Sequence, residues 1–283
     1  MPSKVEIEGE RILKRMLKRD TDHGGIFSEV TGAQGSSKTS ILLSFTKSTM
    51  LNHPNEKIFW SENYRSPLQI FKLGKGNYQF YVKEGSNVIF RDRNRKLKEV
   101  SLGEEYFRTY DELYDMAKPG QASVVFFGDR LEWMDFIEYL SGAGEWVNIY
   151  IDEMGDVCPS MTANPTWARI GRFVETAKSI RRCMMNVHCN TQSVVDVDFR
   201  VRGKIMVKVY LPGARKDKTS RITQRAIDNL QLNPIHGNEA WVEFSGKFGR
   251  VRFTDIFKPN KKYHYEAYAI PPKVIPKSLT TFS

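Results

Sequence analysis

Two hydrophobic periods alternate along this chain. The segment KVEIEGERILKRMLKRD puts Val5, Ile12, Leu13, Met16 and Leu17 at roughly helical intervals, with Arg and Lys on the other side, which predicts an amphipathic helix within residues 1–24. Such a helix packs on its own domain, on a neighbouring subunit or against phosphates, and the pattern does not choose among these. The runs that follow, one ending at Val30 and then KIFWSE, SVVFF, WVNIYI, CMMNVHC and KIMVKVY, are compact and apolar, as in strands buried on both faces of a parallel sheet. Helical spacing returns between them in TSILLSFTKSTML, in RLEWMDFIEYL and over Thr166 to Ile180. Strand and helix in alternation predict an α/β fold with a mainly parallel central sheet. From about residue 65 to about 120 the alternation breaks: Gly74, Gly76 and Gly85 stand among the short runs YQFYV and NVIFR, which predicts a β-rich insertion. The last stretch, FKPNKKYHYEAYAIPPKVIPKS, mixes Pro, Lys and Tyr without a period and reads as an extended arm over 257–283. Residues 25–256 remain as the main domain.

Composition narrows the class. With 283 residues, 40% hydrophobic and 27% charged, the chain is long enough for one large core and too apolar for extended disorder. No run approaches the ~18 apolar residues of a membrane helix and no secretory signal is visible, so a cytoplasmic protein without a membrane segment is expected. Lys and Arg outnumber Asp and Glu by 43 to 33, a formal charge of +10 that suits a polyanionic partner such as nucleic acid. Cys158, Cys183 and Cys189 are odd in number and form no C-x-x-C pair, so they are expected to be free packing residues in a reducing compartment.

The candidate chemistry begins at EVTGAQGSSKTSILL. Gly32, Ala33, Gln34, Gly35, Ser36, Ser37, Lys38, Thr39 and Ser40 nearly spell the phosphate-binding pattern G-x-x-x-x-G-K-[ST] between a strand and a helix. In such a loop backbone amides face the phosphates, the lysine reaches the β and γ oxygens, and the next hydroxyl holds Mg²⁺. Lys38 and Thr39 fill the last two roles. Ser37 stands where glycine is usual, and its Cβ costs about 1–2 kcal/mol if φ is positive, so weakened or slowed nucleotide use is expected. Alone, the loop also fits a helix-capping turn with an incidental lysine.

A second motif makes that reading harder to hold. VNIYIDEMGD is an apolar strand ending in adjacent carboxylates, where Asp152 is placed to hold Mg²⁺ and Glu153 to act as general base on the attacking water. Farther on, another apolar strand ends on Thr191 and Gln192. The Gln192 amide can donate to a γ-phosphate and accept from water, or simply begin a loop.

GAQGSSKTS, VNIYIDEMGD and MMNVHCNTQSVVDVD, in that order, resemble the HerA/FtsK superfamily of DNA-pumping P-loop ATPases over roughly residues 26–212. The resemblance implies a RecA-like core, ATP and Mg²⁺ as ligands, and a homo-oligomeric ring, expected to be a hexamer. It also implies an arginine finger, for which Arg181 is the first candidate and Arg182, Arg169 and Arg172 are rivals. The size and charge fit packaging of a viral genome or transfer of plasmid DNA, with double-stranded DNA as cargo and a capsid portal or transfer-channel protein as partner. In PGARKDKTSR, Arg215, Lys216, Lys218 and Arg221 are the candidate DNA contacts, and Lys261, Lys262, Tyr263 and Tyr265 in the tail are a weaker set. Two other readings stay open: a Zot-like export ATPase, and a nucleotide-binding ring that does not hydrolyse.

Overall fold

The computed structural model describes residues 3–19, 24–64, 67–86, 88–92, 98–160, 166–193, 195–231, 238–253 and 267–270. Helix α1 (Lys4–Leu17) starts behind Ser3, whose hydroxyl accepts from the Glu6 amide while the Glu6 carboxylate accepts from the Ser3 amide. Next come β1 (Phe27–Thr31), α2 (Lys38–Asn52), β2 (Lys57–Ser61), β3 (Tyr78–Lys83), β4 (Ile89–Asp92), β5 (Lys98–Glu99), β6 (Glu105–Phe107) and α3 (Tyr110–Met116). The middle of the chain forms β7 (Ala122–Phe126), α4 (Glu132–Leu140), β8 (Val147–Ile151), α5 (Met154–Val157), α6 (Thr166–Ser179), β9 (Met185–Thr191), α7 (Phe199–Arg202) and β10 (Val207–Tyr210). Helix α8 (Gln224–Asp228), the hairpin β11 (Asn238–Phe244) and β12 (Lys247–Phe253), and β13 (Ala267–Ile270) complete it.

Ten strands form one sheet in the order β12-β11-β10-β1-β9-β8-β2-β7-β3-β6. All pairs from β10 to β6 are parallel, and the two pairings at the other edge, β10–β11 and β11–β12, are antiparallel. The fold is therefore α/β with a mainly parallel sheet, and β9 lies between the strand that leads into the phosphate loop and the strand that ends in the acidic pair. Side chains alternate across it. Ile149 and Ile151 of β8 join the apolar layer that α4 and α6 cover, whereas Tyr150 joins the opposite layer, with Ile41, Leu42 and Phe45 of α2.

Segment 65–120 divides between two places. β3 and β6 extend the parallel sheet beyond β7, while β4 pairs antiparallel with both β5 and β13 in a separate three-stranded sheet. β13 falls in the stretch read as an arm; Lys261, Lys262, Tyr263 and Tyr265 lie outside the described residues. Helix α1 docks on its own chain through Gly9, Ile12 and Met16. A Cβ on Gly9 would stand 2.4 Å from the Arg250 carbonyl oxygen, so helix and strand meet at backbone distance. All three cysteines are free, with Cys158 and Cys189 buried. Among the described residues no helix is long and apolar enough to cross a membrane.

Candidate nucleotide site

β1 ends at Thr31, and the chain turns over Gly32 to Ser36 into α2. The turn is tied down from outside: the Ala33 amide donates to the Pro212 carbonyl at 3.2 Å, and Asn238 Nδ2 donates to the Ser36 carbonyl at 3.2 Å. Gly32 has no room for a side chain, since a Cβ there would lie 2.4 Å from the Ser36 hydroxyl. Gly35 sits at φ +80° with open space where a Cβ would point. Ser37 adopts φ 69°, ψ 23°, the left-handed conformation in which a glycine is unstrained. Its side chain caps nothing, so it leaves the first amides of α2 free of a side-chain cap, next to the Lys38 ammonium. Lys38 is 9% exposed and its Nζ donates to the carbonyls of Gly32 at 2.9 Å and Ala33 at 3.0 Å. Burial lowers its pKa, while Glu153 and Asp152 act in the opposite sense.

The acidic pair closes the site from β8. Thr39 Oγ1 donates to Asp152 Oδ1 at 2.8 Å, and Asn190 Nδ2 donates to the same oxygen at 2.6 Å. Asn190 Oδ1 accepts from the Glu153 amide at 2.9 Å, and Thr191 Oγ1 donates to Glu153 Oε1 at 3.2 Å. Glu153 itself is held at φ 70°, a backbone strain of the kind that gathers at functional sites. Burial raises the pKa of both carboxyls; the hydrogen bonds from Asn190 and Thr39 pull Asp152 back, while Asp152 and Asp156 push Glu153 further up.

Four contributors were not assigned from the sequence. Asn190 is the penultimate residue of β9, just before the Thr191-Gln192 pair. Arg130, beyond the end of β7, donates through Nη2 to the Asp152 carbonyl at 2.7 Å and to Ser61 Oγ at 3.2 Å, and through Nη1 to Asp156 at 2.8 Å. Glu62 ends the run KIFWSE; it is buried, accepts from Trp60 Nε1 at 2.8 Å and the Ile70 amide at 3.0 Å, and is pushed up to about 7 by burial and then by Asp152. Asn238 comes from β11, the antiparallel edge. The available signal was position: each except Asn238 is a polar residue at or just beyond the tip of an apolar run.

Other candidates are more scattered. Gln192 is exposed at the tip of β9, and its backbone amide bonds the Glu153 carboxylate. Arg181 is exposed at the other end of the sheet, with Nε 2.8 Å from Met206 Sδ, and is not brought to the phosphate loop of its own chain. Among its rivals, Arg169 is held by Asp135 and Asp129, Arg172 lies 3.6 Å from Asp135, and Arg182 is exposed. Arg215, Lys218 and Arg221 are exposed and Lys216 is half-buried, in a loop pinned by the Lys208–Asp217 pair at 3.0 Å.

The residues fit a nucleoside triphosphate with Mg²⁺. An ammonium, uncapped helix amides and a glycine-rich turn suit phosphate, and the Thr39 hydroxyl beside the Asp152 carboxylate is the hard oxygen set that Mg²⁺ takes together with phosphates and waters. Among the described residues no cluster of three or more His, Cys, Asp or Glu is placed to hold a metal alone.

No protein-family profile matches the sequence, and no curated protein matches it. Solved structures do. The genome packaging NTPase B204 from Sulfolobus turreted icosahedral virus 2, in complex with AMPPCP, is similar over 81% of this chain and 97% of its own, with a TM-score of 0.52 at 9% identity. Its ATP-gammaS complex is similar over 83% and 100%, with a TM-score of 0.50 at 12% identity. VirB4 of Thermoanaerobacter pseudethanolicus is similar over 84% and 92%, with a TM-score of 0.51 at 11% identity. At these identities the likeness is one of fold: the chain has the α/β fold of P-loop NTPases, consistent with the HerA/FtsK-type resemblance in its motifs.

Proposed function

We propose that the chain is an ATP-driven DNA translocase that works as a homo-oligomeric ring, packaging a viral genome or moving plasmid DNA. The observation that carries this is the Thr39–Asp152 hydrogen bond of 2.8 Å, which joins the phosphate loop to the acidic pair in one site. The likeness to a packaging NTPase and to VirB4, and the charge of +10, support the DNA cargo.

In the reaction Lys38 exchanges its bonds to the Gly32 and Ala33 carbonyls for the β- and γ-phosphate oxygens. The uncapped amides of α2 receive the β-phosphate. Thr39 and Asp152 would hold Mg²⁺, which supplies neutralisation of phosphate charge when bound. Glu153 takes the proton from the attacking water, and its raised pKa suits it to keep that proton through the transition state. Asn190 and Thr191 fix the direction of its carboxylate. Gln192, beside it, orients the water and reads the γ-phosphate. An arginine of the adjacent subunit, from the set Arg181, Arg182, Arg169 and Arg172, acts on the γ-phosphate, and the Arg215–Arg221 loop tracks DNA.

Steady-state ATP hydrolysis with and without duplex DNA tests this, with Lys38→Ala and Glu153→Gln as comparisons. Hydrolysis stimulated by DNA and lost in both variants is expected. Equal slow turnover by all three proteins overturns the motor reading and leaves a non-hydrolysing ring.

A further inference from the structure

The end of the sheet opposite the phosphate loop holds a second concentration of charge. Because β1, β9 and β10 are parallel, residues that precede them share one edge: Gly24, Gly25 and Ile26 before β1, Arg181 before β9, Lys204 and Met206 before β10. The β11–β12 turn returns to this edge, since Phe244 pairs with Val207 at the start of β10. Two adjoining cavities of about 480 and 400 Å³ open there and share Arg181, Met206 and Ser245 in their walls.

Among the described residues six cations line them: Arg15 and Lys18 from the end of α1, Lys178 from the end of α6, Arg181, Lys204, and Lys247 from β12. No described lining residue is acidic. Of these six, only Lys178 has an ion-pair partner among the described residues, Glu175 on its own helix. Arg221 extends the rim, its Nη1 donating to the Gly246 carbonyl at 3.3 Å in the same turn. The basic loop noted in the sequence thus reaches this edge through its last residue.

The geometry points to this cleft as a binding site for the phosphodiester backbone of duplex DNA, on the opposite end of the sheet from the nucleotide. The assignment rests on the translocase reading for the identity of the polyanion. Three features favour backbone contact over other modes. The cations come from separate elements spread over two open cavities, which suits a repeating charge more than one small anion. All but Lys204 are exposed side chains, as expected for a surface that exchanges small counterions for phosphates. Single-strand binding uses uncovered aromatic faces for base stacking, and among the described residues the one ring lining the cleft, Phe244, is covered by the Arg15 guanidinium at 4.8 Å.

The test is equilibrium binding of an end-labelled duplex of about 30 base pairs, at several salt concentrations, to the full chain. Lys18→Glu/Lys247→Glu and Lys204→Glu alter the cleft, Arg215→Glu/Lys218→Glu alters the loop, and Arg181 stays intact. The double cleft variant is expected to bind about tenfold or more weakly and to flatten the dependence of log Kd on log salt by roughly 2. Its thermal midpoint and its affinity for a fluorescent ATP analogue stay at wild-type values. Wild-type duplex affinity in both cleft variants overturns the assignment, and if the loop variant alone loses affinity, the DNA reading survives without it. If the wild type binds no duplex, the DNA reading and the cleft assignment fall together.

Discussion

The Thr39 hydroxyl and the Asp152 carboxylate, 113 residues apart in sequence, meet at 2.8 Å. Each group stands at the tip of a different element, α2 and β8, so the bond holds together the two oxygens proposed to take Mg²⁺. Asp152→Asn keeps a group of the same shape and removes the charge. It is expected to lower Mg²⁺-dependent ATP hydrolysis by about a hundredfold or more while leaving the fold intact. Turnover against Mg²⁺ concentration, with circular dichroism as the fold control, checks it.

Ser37 answers the question raised by the missing glycine: the backbone adopts the glycine conformation anyway, and the serine bears the strain. Ser37→Gly relieves about 1–2 kcal/mol of left-handed strain and returns about 0.5–1 kcal/mol as backbone entropy. A net gain of about 0.5–1 kcal/mol in urea denaturation is expected, with tighter binding of an ATP analogue. Ser37→Ala keeps the Cβ and should gain nothing.

Asn190 bonds both members of the acidic pair from a position that is 1% exposed. Removing it leaves the Glu153 amide and one Asp152 oxygen short of a partner. Asn190→Ala is expected to cost about 1–3 kcal/mol of stability and at least about tenfold in kcat, with KM little changed. Chemical denaturation and steady-state kinetics read the two effects separately.

Stability should also depend on Glu29, a β1 residue that is 2% exposed, with Oε1 lacking a hydrogen-bond partner. Burial is the main cause that pushes its pKa from the ordinary 4.5 to about 7. Below pH 4.5 both folded and unfolded chains carry the proton, and its contribution is fully present. As pH rises toward 7 the unfolded chain releases the proton and the folded chain keeps it, so about 3 kcal/mol is lost. Glu29→Gln should therefore exceed wild type in stability by more at pH 8 than at pH 5, as measured by urea midpoints.

The parallel sheet was legible because its strands are buried on both faces and write themselves as unbroken apolar runs. Lys38, Thr39, Asp152 and Glu153 were legible for a related reason: each lies at a strand or helix tip within a local pattern. Asn190, Arg130 and Glu62 escaped because what gives them a role is adjacency across strands. β9 lies between β1 and β8 in space but follows both in sequence, and no spacing along the chain records that order. The β4–β13 pairing escaped for the same reason, joining Phe90 to Ala269 across most of the chain.

β9 is hydrogen-bonded along both edges and runs seven residues, about 23 Å, from the cationic cleft to the acidic pair. A rod clamped on both sides does not slide or buckle. A displacement at its Arg181 end is therefore expected to reach Asn190 and Thr191 as tilt of the whole sheet, so the cationic cleft and the candidate nucleotide site share a single stiff strut.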